Sequence, residues 1–140
     1  MKRIIIIILI IILIVVAICA SLYFFREQPI CYDTSTISLE SIRIIRVVDG
    51  IETDVTERIN LAELVEVLSG IQSRRSIYSM NGYLMRDVLW EIDFIVDVQN
   101  PRHVVLGENN FWYISSGEPF GRFDIIDSDA LISKVNMLYE

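Results

Sequence analysis

The sequence predicts an α+β protein, with one transmembrane helix followed by a two-layer domain: an antiparallel sheet of about five to six strands with two helices on one face. Three observations carry this. Residues 4–25 hold no charged side chain, and only Ser21 and Tyr23 among them are polar. Residues 90–98 alternate, with Trp90, Ile92, Phe94, Val96 and Val98 on one side and Glu91, Asp93 and Asp97 on the other. Leu61, Leu64, Val65 and Leu68 fall on one helical face. Period two with a wet face points to antiparallel strands, and a single apolar stripe points to a helix laid on a sheet.

The apolar run comes first. At about 1.5 Å per residue it spans roughly 33 Å, which matches a hydrocarbon core of about 30 Å. In lipid every backbone group must be bonded internally, so an uncharged run of this length crosses as a helix. Lys2 and Arg3 ahead of it also suit a secretory signal. A lipoprotein signal would place a small residue before its cysteine, yet Cys19 follows Ile18. Cleavage after Ala20 or Ser21 would leave apolar Leu22, Tyr23, Phe24 and Phe25 behind. The retained anchor is therefore the expectation, with the lipid bilayer contacted through residues 4–25. Lys2 and Arg3 outweigh Arg26, which Glu27 offsets, so the amino end is expected in the cytoplasm and the domain outside. Ala17 and Ser21, four apart, would let two such helices approach closely as a homodimer.

Lys2 and Arg3 take two of the 12 basic residues, leaving ten against 19 acidic ones, so residues 26–140 carry a formal charge of −9. An acidic domain repels phosphate backbones, which argues against a nucleic-acid partner. Residues 26–36 read as a stalk, where Pro29 blocks helix continuation and residues 33–36 are polar. Cys31 lies in that stalk as the one cysteine beyond the apolar run, a candidate intermolecular thiol.

The domain is expected over residues 37–140. Residues 42–48 are rich in Ile and Val, and Asp49-Gly50 supplies a two-residue turn into residues 51–56. Asn60 and Glu63 form a capping-box pattern before the helix, and Gly70 marks its end. Residues 73–76 are polar, Asn81-Gly82 is a turn candidate, and residues 83–89 fit either strand or helix. After the 90–98 strand, Asn100-Pro101 turns the chain into a short strand at 103–106. Further strands follow at 111–114 and 122–126, separated by a loop at 115–121. Asp127 or Ser128 then caps a closing helix with Leu131, Val135 and Leu138 on one face.

The apolar start, the opening hairpin, the Leu-x-x-Leu-Val-x-x-Leu helix followed by Arg74-Arg75-Ser76, the aromatic strand Phe111-Trp112-Tyr113-Ile114 and the ending at residues 122–126 plus helix resemble a known group. They look like small, N-terminally anchored extracytoplasmic domains of unknown function from Gram-positive bacteria. The resemblance spans about residues 37–140 and implies no catalytic residues.

Chemistry-bearing residues are sparse. His103 is the only histidine, so a catalytic triad or a two-histidine metal site lacks its members. A Cys31–His103 dyad would need fixed geometry that a stalk does not supply. Asp124, Asp127 and Asp129 lack the glycine and distant glutamate of a calcium loop and read as strand-end and helix-cap acids. The six glycines are dispersed, so no phosphate loop is formed. No cofactor, no metal and no enzymatic activity are expected. Among the aromatics, Trp112 and Phe120 are the candidate outward-facing contact surface for a protein or envelope component. An accessory subunit of a membrane complex is the alternative role, and a cell-envelope hydrolase a more distant one.

Overall fold

The computed structural model describes residues 2–31, 33–76, 87–97, 99–114 and 121–140. Helix α1 (Lys2–Phe25) comes first. Arg3–Phe25 is long and apolar enough to cross a membrane, and none of it is buried against the rest of the chain. That separates it from the core helix of a soluble fold and leaves it compatible with a single-pass anchor or a signal sequence. Ala17, Cys19 and Ser21 all lie exposed on it.

The domain is α+β, as expected, but among the described residues its antiparallel sheet has eight strands rather than five or six. These are β1 (Glu27–Pro29), β2 (Arg43–Val48), β3 (Ile51–Asp54), β4 (Gln72–Arg75), β5 (Val88–Val96), β6 (Asn100–Gly107), β7 (Phe111–Ile114) and β8 (Gly121–Ile125). Their order across the sheet is β1-β4-β8-β7-β6-β5-β2-β3. Among the described residues, helices α2 (Leu61–Ser69) and α3 (Ser128–Tyr139) complete the α-helices, and three short 3-10 turns at residues 34–36, 39–41 and 56–58 have no counterpart in the hydrophobic pattern.

One apolar core joins the two helices to one face of the sheet. Leu64, Val65 and Leu68 from α2 and Leu131 and Val135 from α3 pack with Ile44, Trp90, Ile92, Phe94, Val104, Leu106, Trp112 and Phe123. The register sets the row Ile44, Ile92, Val104, Trp112, Phe123 side by side across five strands. Period-two alternation in each strand delivers one member of that row, which is why the row is apolar throughout.

Local chemistry explains most ends. Asp49 and Gly50 have φ of 52° and 76°, the pair of positive values that the β2–β3 turn requires. Asn60 Oδ1 accepts from the amides of Ala62 at 3.2 Å and Glu63 at 3.4 Å. Glu63 reaches the Asn60 side-chain amide at 3.0 Å rather than its backbone N–H, so the box is only half built. Asp127 precedes α3 in a left-handed conformation and makes no side-chain cap bond; its carbonyl oxygen accepts from the Ala130 and Leu131 amides instead. Asp127 is thus the N-cap residue, one of the two expected, but it serves through its backbone carbonyl and not through its carboxylate.

Of residues 26–36, expected as a stalk, the described ones (26–31 and 33–36) are part of the fold. Only Arg26 separates α1 from β1, which pairs with β4 through Glu27–Arg74, Gln28–Ser73 and Pro29–Gln72. The chain then crosses the helical face: Ile30 is 1% exposed, Cys31 is 4% exposed, and Ile37 bridges to Val96 on β5. Strand β4 likewise falls on residues whose polarity suggests a connection. Its inward residue is Ser73, fully buried, whose hydroxyl donates to the Gln28 carbonyl at 2.9 Å and accepts from the Trp112 indole at 2.8 Å. A hydrogen-bonded serine occupies a core position where an apolar residue would have revealed the strand.

Candidate functional site

On the outer face of the sheet the register lines up Arg43, Asp93, His103, Tyr113 and Arg122 across five strands. His103 Nδ1 lies 2.6 Å from Asp93 Oδ1, and its ring stacks on Tyr113 with centroids 4.8 Å apart. Arg122 is buried over the Phe111 ring, 4.2 Å from its centroid, and pairs with Asp124 Oδ1 at 3.1 Å. His103 therefore belongs to a cross-strand polar row, and Asp124 to an ion pair within β8. Among the described residues, no three His, Cys, Asp or Glu side chains are grouped so as to hold a metal ion.

Glu91 sits on the same face, opposite Ile45 and Val105. Burial raises its carboxyl above the ordinary range, and the nearby charges of Glu52 and Asp93 add to the effect. The folded state then binds the proton more tightly than the unfolded chain. The contribution of Glu91 to stability should rise as pH falls from neutral through its folded pKa, and that gain should be complete below the unfolded value of about 4.3. Glu91→Gln should therefore stabilise the domain slightly at pH 7, the effect kept small by solvent screening of a partly exposed group, with the difference vanishing near pH 4. Thermal melts of both proteins across that range test this, and a Gln variant less stable at pH 7 would contradict it.

The residues singled out from the sequence fare differently when placed in space. Trp112 does not face outward: it is 3% exposed and stacks on Phe123 with centroids 4.1 Å apart. Phe120, its companion in the expected contact surface, lies outside the described residues. Cys31 is buried in the core, and burial raises its thiol pKa, with Arg102 acting in the opposite direction. It is neither an accessible bridging thiol nor an activated nucleophile.

Two concavities stand out. A trough of about 810 Å³ runs beside the β2–β3 hairpin and the end of α3, lined by Arg46 and four acids, Asp49, Glu52, Asp87 and Glu91. A smaller one of about 270 Å³ lies under the crossover that follows β1. Ile30, Cys31, Trp112, Ile114 and Phe123 form its walls, and Asp33, Thr36 and Asp97 its polar rim. Arg102 lines it from β6, in a row between Phe94 and Ile114.

The chain matches no family model, no curated protein and no solved structure. Functional assignment therefore rests on the site itself.

Arg102 is a residue that the sequence does not single out. Its guanidinium carbon lies 5.0 Å from the Trp112 ring centroid, and its Nε and Nη1 are buried without a hydrogen-bond partner among the described residues. It makes no ion pair there either. Burial lowers its pKa, with Asp97 and Cys31 partly opposing. The only signal in the sequence is parity: residues 102, 104 and 106 share a strand face, and Arg102 is the charged one.

Proposed function

We propose that this chain is a single-pass membrane-anchored domain, amino end cytoplasmic and domain extracytoplasmic, which acts by binding a protein or envelope component rather than by catalysis. The observation that carries the reading is the bare apolar helix joined to the sheet edge through one residue. Tyr23, at the end of that helix, lies under the Arg75 guanidinium at 4.5 Å, so the domain would stand directly on the bilayer surface. The resemblance to small anchored extracytoplasmic domains of Gram-positive bacteria belongs to the same reading. A binding role is supported by the pocket near the helix exit, whose lining cation, Arg102, has no ion-pair partner among the described residues. Association of two α1 helices through Ala17 and Ser21 is a further element of the proposal.

The expected result is a full-mass protein in the membrane fraction that resists alkaline carbonate extraction, with a carboxy-terminal tag cleaved by protease added to intact cells. Soluble protein trimmed near residues 19–21 would make residues 4–25 a signal sequence. A protease-shielded tag would reverse the orientation.

A further inference from the structure

The crossover after β1 roofs a pocket whose chemistry is divided. Its walls are apolar, yet on the sheet side Arg102 interrupts a row of buried hydrophobic residues. An arginine in that row costs folding free energy twice. Its charge is partly desolvated, and its buried N–H groups forgo the bonds they would make to water. Stacking against Trp112 returns only about 0.5 to 2 kcal/mol and satisfies no N–H. Nε and Nη1 are closed off from solvent, so what the cavity meets is the cation itself: Arg102 is the one basic residue lining a pocket with apolar walls, and no ion-pair partner neutralises it among the described residues.

We propose that this pocket binds an anionic amphiphile, its carboxylate or phosphate group set beside the Arg102 guanidinium and its apolar chain lying against Ile30, Ile114 and Phe123. Guanidinium is the side chain best suited to planar oxyanions, and a neutral acceptor would leave its charge uncompensated. The volume of about 270 Å³ falls just under the usual range for drug-sized ligands, which sets the ligand as a single short chain or the head end of a longer one. Asp33 and Asp97 at the rim are exposed, so solvent screens their repulsion while the interior cation is screened less.

The pocket lies at the end of the sheet where α1 joins. Gln28 and Pro29 of β1 line it, and β1 starts one residue beyond the helix. For the source of the ligand, a lipid of the bilayer or a free amphiphile, the inference rests on the anchored reading; for its chemistry it does not.

The test uses the full chain in phosphatidylcholine nanodiscs, titrated with hexanoate, hexanol and inorganic phosphate. Hexanoate should raise the melting temperature of the domain and bind at least tenfold more tightly than either of the other two. Arg102→Met should weaken hexanoate binding at least tenfold without lowering the melting temperature of the unliganded protein, because it removes a partly desolvated charge that has no ion-pair partner among the described residues. Equal binding of hexanol would reduce the site to an apolar crevice, and equal binding of phosphate would remove the chain from the proposal. Unchanged hexanoate binding by Arg102→Met, or a lowered unliganded melt, would make the arginine structural and overturn it. Should the variant not fold, the three-ligand comparison in the unaltered chain still decides. Nanodiscs containing phosphatidylglycerol separate the sources: competition with hexanoate identifies bilayer lipid, and its absence a free amphiphile. Hexanoate binding by a chain shown to be soluble would retain the pocket and discard only the anchor.

Discussion

A chain beginning at residue 37 will fail to fold stably, whereas one beginning at Arg26 will melt as the domain of the full-length protein does. The difference lies in eleven residues that look like a stem. Removing them takes away β1 and its three residue pairs with β4, and it strips Ile30 and Cys31 from the core. Burial of one large aliphatic side chain stabilises by about 1.5 to 3 kcal/mol, and the lost Gln28 carbonyl leaves the buried Ser73 hydroxyl without its acceptor at a further cost of about 1 to 3 kcal/mol. The apolar floor beneath the crossover, including Trp112 and Phe123, would also face water. Together these losses approach the whole stability of an ordinary domain, about 5 to 15 kcal/mol. Circular dichroism melts of the two truncated chains, both lacking α1, decide the point. Equal melting temperatures would restore residues 26–36 to the role of a stem.

The sequence shows the parts of this fold in which side-chain pattern and backbone agree. Strand β5 announces itself because each inward residue is large and apolar and its outward neighbours include acids. The hairpin turn is legible because few residues other than Gly, Asn and Asp tolerate two consecutive positive φ values. Strands β1 and β4 are not, for a common reason. The buried polar group of β4 is satisfied by the backbone of β1, and such a pair carries meaning only when both members are in place. Ser73 looks like loop chemistry until Gln28 stands opposite it. Pro29 argues against a strand, yet β1 is an edge, where a missing N–H breaks no ladder bond.

The candidate site is hidden by a related limit. Histidine and cysteine draw attention by their reactivity, and both lead elsewhere: His103 into a cross-strand row, Cys31 into the core. Arginine is common on strand surfaces, so Arg102 gives no local hint. What marks it is the crossover arriving from residues 30–37, more than sixty positions away in the chain, to roof it over. Non-local topology makes that pocket, and no window of sequence contains it.

Trp112→Ala should be the most damaging single substitution in the sheet, at about 3 to 5 kcal/mol. Alternation along residues 111–114 states only that Trp112 opposes Phe111 and Tyr113; it does not say which side meets the helices. The structure puts Trp112 on the helical side and makes it a hub. Its ring stacks on Phe123 at 4.1 Å and interplanar 15°, and Arg102 lies over it. Its indole N–H reaches across β8 to Ser73 on β4, whose hydroxyl continues to Gln28 on β1. A cavity there would loosen three strands together, so the alanine variant should unfold in urea at a much lower midpoint, and with the slope unchanged if unfolding remains two-state. Trp112→Phe separates packing from bonding. It keeps an aromatic stack and removes the N–H, so its extra cost beyond lost volume should be about 1 kcal/mol. Ser73→Ala breaks the same bond from the other end, and the double variant should cost less than the sum of the singles by about 0.5 to 1 kcal/mol. Strict additivity would mean that the indole and the hydroxyl do not bond. A Trp112→Ala loss below about 0.5 kcal/mol would return that side chain to the solvent face.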